Sequence, residues 1–99
     1  MARKVIFLLT KPPHSQRAAL CRCLLERSMA PVLYLAGDGV YNLLEAAHLK
    51  SHSGVIILAC QEDLLARGIQ AGEAANVTED FYRLLVEDMA SDDCHIYIF

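Results

Sequence analysis

The sequence predicts an α/β fold: a single three-layer α/β/α domain covering residues 1–99, with a mostly parallel four- or five-stranded sheet and helices on both faces. Three observations carry that expectation. The runs Val5–Leu9, Val32–Ala36 and Val55–Ala59 are continuously apolar, the pattern of strands covered on both sides. Each run is followed by helix start and stop signals, which makes βαβ units. And 99 residues leave room for one domain only.

The elements follow in order. After Val5–Leu9, Pro12 and Pro13 end the first strand, and Ser15 is an N-cap for a helix running to about Met29, where Pro31 stops it. Val32–Ala36 is the second strand. Gly37-Asp38-Gly39 is a tight turn, and Asp38 caps a short helix from about Val40 to Ala47. The polar loop Lys50–Gly54 leads to the third strand, Val55–Ala59, and then to a helix from about Glu62 to Arg67 with Gly68 as its stop. Residues 69–77 carry no clear pattern beyond a contact of Asn76 and Val77 with the sheet edge. Thr78 is read as the cap of a helix to about Met89, with Glu79 and Asp80 in its first turn. The last strand is His95–Phe99. In such sheets chemistry gathers at the carboxyl ends of the strands, here Thr10–Ser15, Gly37–Gly39 and Cys60–Asp63.

Composition excludes several classes. A formal charge of −3 and a pI near 5.7 argue against a nucleic-acid binder, which needs a basic stripe. No apolar run approaches a membrane span, and Lys11-Pro12-Pro13 follows the first run where a signal peptide would have small residues. A cytoplasmic protein is expected. A mean hydropathy of +0.29 in so small a domain points to apolar surface covered in an oligomer.

The four cysteines carry the chemical interest. No Cys-x-x-Cys occurs, and neither a zinc site nor a disulfide framework is expected. On a helical wheel Cys21 lies amid Ala18, Leu24 and Leu25 and reads as core filler, as does Cys94 beside Asp92 and Asp93 as a structural thiol. Cys23 falls on the opposite face from Cys21, beside Arg22 and Arg27, where a thiol is accessible and its thiolate favoured; an ordinary surface cysteine is the alternative. Cys60 ends the third strand at a helix start, where free amides favour a thiolate and Glu62 and Asp63 oppose it if they point inward. His48 and His52 have metal-ligand spacing but no third ligand, and no metal or cofactor is expected. Lys11 and His14 lie in the loop after the first strand, placed to hold an anionic sulfur group or simply solvated.

Three segments resemble one family. Gly37-Asp38-Gly39-Val40-Tyr41 is similar to the Glu-Asp-Gly-Ile-Tyr turn of the DsrH/TusB sulfur-relay proteins. Glu62–Gly68 is similar to their Glu-Asp-Leu-x-Ala-Arg-Gly helix, and Asp80–Leu84 to their Asp-Phe-Val-x-Leu segment. The order and spacing agree across nearly the whole chain. The resemblance to the wider DsrE/DsrF/DsrH family implies a carrier of sulfane sulfur as a cysteine persulfide, toward tRNA uridine thiolation or in sulfur oxidation. It implies related subunits or copies of itself as partners, and protein donors and acceptors of sulfur. In the DsrH branch the cysteine lies fifteen residues before the Asp of the turn, which is Cys23 here; in the DsrE branch it lies seven before the Arg of Arg-Gly, which is Cys60. The chain departs from the DsrH pattern in ending Ile96-Tyr97-Ile98-Phe99 and in carrying Cys60 at all.

Two functional readings follow: a persulfide carrier that reacts at Cys60, with Cys23 second, or a non-catalytic structural subunit of a hetero-oligomer. A nucleotide-binding domain is a third, disfavoured because no glycine-rich phosphate loop is present.

Overall fold

The strands assemble as expected, with one addition. The computed structural model describes residues 4–28, 30–45, 55–72, 75–91 and 93–99. It contains five strands, β1 (Lys4–Leu9), β2 (Pro31–Leu35), β3 (Ile56–Cys60), β4 (Asn76–Thr78) and β5 (Cys94–Ile98), in one sheet of order β4-β3-β2-β1-β5. Every pairing is parallel. The helical elements among the described residues are α1 (Gln16–Glu26), a 3₁₀ segment (Gly37–Glu45), α2 (Gln61–Arg67) and α3 (Phe81–Met89).

Topology dictates the layers. From β1 to β4 each step goes the same way across the sheet, so right-handed crossovers put α1, the 3₁₀ segment and α2 on one face; the return from β4 to β5 puts α3 on the other. The core divides accordingly. Phe7, Leu9, Leu33, Leu35, Ile57 and Ala59 point toward Ala18, Cys21 and Leu25 of α1, Val40 and Leu43 of the 3₁₀ segment, and Leu64 of α2. Their even-numbered neighbours, Ile6, Val32, Tyr34 and Cys60, point toward Phe81 and Leu85 of α3. The period-2 alternation of a strand thus feeds two separate cores from uninterrupted apolar runs.

Several boundaries differ from the sequence expectation. Ser15 does cap α1: its Oγ accepts from the Ala18 N–H at 3.1 Å and donates to the Pro12 carbonyl at 2.8 Å. But α1 ends at Glu26, and Pro31 opens β2 rather than stopping the helix, at the strand-initial position that tolerates a missing N–H. The helix expected from Val40 to Ala47 is instead 3₁₀ through Glu45; three residues per turn align Val40 and Leu43 toward the core. Residues 46 and 47, like His48 and His52, lie outside the described residues. Asn76 and Val77 meet the sheet edge as expected, and with Thr78 they form the strand β4. Thr78 belongs to that strand and does not cap α3; its hydroxyl accepts from the Asp80 N–H two residues on, and Asp80 holds the cap position. Gly68 ends α2 as expected, at φ 66° in the left-handed region, with the Ile69 N–H returning to the Leu64 carbonyl.

Candidate functional site

β3 and β4 are adjacent and parallel, with Cys60 in register opposite Thr78 at their carboxyl ends. The chain leaves β3 into α2 on one face and leaves β4 into α3 on the other. This is the place where an open parallel sheet parts its connections, and such switch points are where these folds build their sites. Cys60 is the last residue of β3 and the residue preceding α2, so the sequence placed it at the correct edge.

The side chain of Cys60 points to the α3 side, in the cluster of Tyr34, Ala36 and Phe81, and is 4% exposed. Burial is the largest influence on its thiol and pushes its pKa up. The backbone N–H groups of Asp63 and Glu62 pull the other way, as expected of a helix start, while the Asp63 carboxylate adds to the rise. The inward turn of Asp63 is therefore the unfavourable case considered above.

Asp63 has a structural reason to turn in. Its Oδ2 accepts from the Gly37 N–H at 2.8 Å, joining α2 to the end of β2. Arg67 closes the arrangement, reaching Asp63 Oδ1 at 3.4 Å and Asp38 Oδ1 at 3.1 Å. Its guanidinium also lies 5.9 Å from the centre of the Tyr41 ring, within cation–π reach. The Gly-Asp-Gly turn and the Glu-Asp-…-Arg-Gly helix, separate in the sequence, are thus one hydrogen-bonded unit. Beneath it, Gly39 packs so closely on β1 that a Cβ there would stand 1.9 Å from the Leu9 carbonyl oxygen. Asn42, 4% exposed, donates to the Lys11 and Gly39 carbonyls and fastens the loop after β1.

Tyr82, in the first turn of α3, lies next to Phe81, which packs in the Cys60 cluster. Its ring meets that of Phe81 edge-on, with ring centres 5.1 Å apart, and its phenol is pushed to higher pKa by burial first and then by the charges of Asp63, Cys60 and Glu62. Sequence reasoning missed it. The available signal was an aromatic residue one turn after a strand end, which gains meaning only once β4 is known to neighbour β3.

The structure separates the two candidate thiols. Cys23 is exposed on α1, whose inner side packs on the core opposite to that of Cys60. It also lies in the second half of α1, which runs back from the carboxyl edge where Cys60 sits. Cys21 is core, with burial pushing its thiol up to about 12 against a smaller lowering by Arg22. The Cys94 thiol is half-buried and donates to the Ser91 carbonyl at 3.2 Å. Lys11 and His14 are exposed in the loop after β1, and His14 adopts φ 70°.

No protein-family model matches the chain, and no curated protein matches it significantly. Among the described residues no cluster of three metal-ligating side chains occurs, and no helix is long and apolar enough to cross a membrane.

Proposed function

We propose that the chain is a cytoplasmic sulfur-relay protein that carries sulfane sulfur as a persulfide on Cys60, serving tRNA uridine thiolation or sulfur oxidation. It works without a cofactor and in an oligomer with itself or with related DsrE/DsrF-like subunits. The observation that supports this reading is the position of Cys60 at the parting of the α2 and α3 connections, together with the three resembling segments, two of which meet through Asp63, Arg67 and Asp38. In the transfer, the Cys60 thiolate attacks the outer sulfur of a donor persulfide. A new S–S bond forms, the donor's S–S bond breaks, and the donor leaves as a thiolate. Hand-over to an acceptor thiolate is the same exchange in reverse. Cys23, on the other face, is the second candidate carrier.

A structural-subunit reading has one observation in its favour: Cys60 is buried and burial raises its thiol pKa, which disfavours the attacking thiolate. Mass spectrometry of the intact protein after exposure to a persulfide donor decides between them. A gain of about 32 Da that disappears in Cys60→Ser supports the carrier. Disappearance in Cys23→Ser alone moves the carrier to Cys23, and no gain on the wild type supports the structural subunit.

A further inference from the structure

The two edges of the sheet differ. The β4 edge is three residues long and runs directly into Glu79 and Asp80. The β5 edge is longer, a five-residue strand, Cys-His-Ile-Tyr-Ile; the exposed Asp93 precedes it directly, but no acidic residue, lysine, arginine, proline or glycine stands within the strand, so the usual guards against edge pairing are missing from its paired length. Ile98 is 60% exposed and Tyr97 41%, one on each face of the sheet.

The backbone shows which groups this edge offers. The Phe99 N–H donates to the Leu8 carbonyl, the Phe99 carbonyl accepts from the Thr10 N–H, and the Asp93 carbonyl accepts from the Lys4 N–H. Odd-numbered residues therefore bond to β1. By the alternation of a parallel ladder, Cys94, Ile96 and Ile98 direct their N–H and C=O groups away from it. None of the described residues pairs with that side of β5.

We propose that a second copy of this chain occupies the β5 edge, with the two β5 strands antiparallel about a two-fold axis at Ile96. This register, and not one shifted by a single residue, brings the outward-facing groups of both strands together. Ile96 meets its own counterpart, Ile98 meets the partner's Cys94, and Cys94 meets the partner's Ile98, giving three hydrogen-bonded pairs and about six hydrogen bonds. The same axis sets Tyr97 across from the partner's His95 and leaves no like charges facing each other within the paired residues. A two-fold perpendicular to the sheet keeps both α3 helices on one side, so two five-stranded sheets join into a continuous sheet of ten. The proposal is independent of any chemistry at Cys60, which lies at the end of β3, two strands removed from β1 and three from β5.

Sedimentation of the full chain tests it. The wild type is expected at about 22 kDa, twice its 11.0 kDa, at about 100 μM, with dissociation on dilution. Ile98→Pro removes an outward N–H that β1 does not use, a place where a strand tolerates proline, and Ile98→Lys adds an edge guard. Both are expected to run as folded 11.0 kDa monomers with an unchanged far-ultraviolet circular dichroism spectrum. Val77→Lys, on the opposite edge, is expected to remain dimeric. A wild type that stays monomeric at about 100 μM overturns the proposal. So does a dimer that survives Ile98→Lys, or one that Val77→Lys dissociates instead.

Discussion

Cys60 and Cys21 show how placement sets a thiol's chemistry. Both are buried and both are pushed toward the neutral form, but only Cys60 has a carboxylate and amides beside it to modify that effect. Asp63→Asn removes the carboxylate while keeping an acceptor for the Gly37 N–H. We expect the pH midpoint of Cys60 alkylation by iodoacetamide to fall, with the rate at neutral pH rising about threefold or more. An unchanged midpoint would mean that Asp63 does not act on the sulfur. Cys21 acts on stability instead. Its folded pKa is raised to about 12 from an ordinary 9.0, so its contribution is complete below pH 9.0 and is lost as pH rises toward 12. The expected slope is about −1.4 kcal/mol per pH unit in that window, and urea unfolding of Cys21→Ala should show a shallower alkaline decline than the wild type. Gly39 is the most sensitive backbone position. Gly39→Ala drives a methyl into the Leu9 carbonyl, and a loss of more than about 2 kcal/mol by urea unfolding is expected.

Among the described elements, α3 alone covers its face of the sheet, and it is held there by more than apolar contact. The buried Tyr34 hydroxyl donates to Asp88 Oδ2, and Lys4 Nζ reaches Asp88 Oδ1 at 2.6 Å, so one carboxylate of α3 fastens β2 and β1 together. Asp88→Ala strands a buried hydroxyl and should cost about 1–3 kcal/mol, whereas Tyr34→Phe removes the hydroxyl and should cost about 1 kcal/mol. Chemical denaturation of the two variants checks the order. None of this was legible in the sequence, where Tyr34 reads as one more apolar strand residue. The strands themselves were legible to within a residue, because runs such as Val32–Leu35 are apolar on both faces. β4 was legible only as a contact of Asn76 and Val77 with the sheet edge, because three residues of mixed character carry no periodicity. The 3₁₀ segment read as α-helix, because Val40, Leu43 and Leu44 fit either period until Asn42 is seen tied to the loop after β1.

Across the whole molecule, strand order is what turns residues into a site, and order is invisible in a linear pattern. Cys60 could be placed at a strand end from its neighbours alone, but its opposition to Thr78 depends on β4 lying next to β3. Order also keeps Cys60 and Cys23 apart, on opposite faces of the sheet. Mild oxidation of the native protein should therefore give no Cys23–Cys60 bridge; mass spectrometry should show no internal loss of about 2 Da, because the thiols cannot approach disulfide distance without unfolding. Such a bridge in the native protein would contradict the layer assignment.

The pairing of β1 with β5 joins Lys4 to Cys94 and Leu8 to Ile98, positions 90 residues apart in a chain of 99. β1, an interior strand of the sheet, thus waits for one of its two neighbours until residues 94–98 have been made. During synthesis the flank of β1 stays open, and the sheet closes only after residues 94–98 have left the ribosome. Contacts of such long range slow folding, and refolding from urea is expected on the millisecond-to-second scale rather than in microseconds.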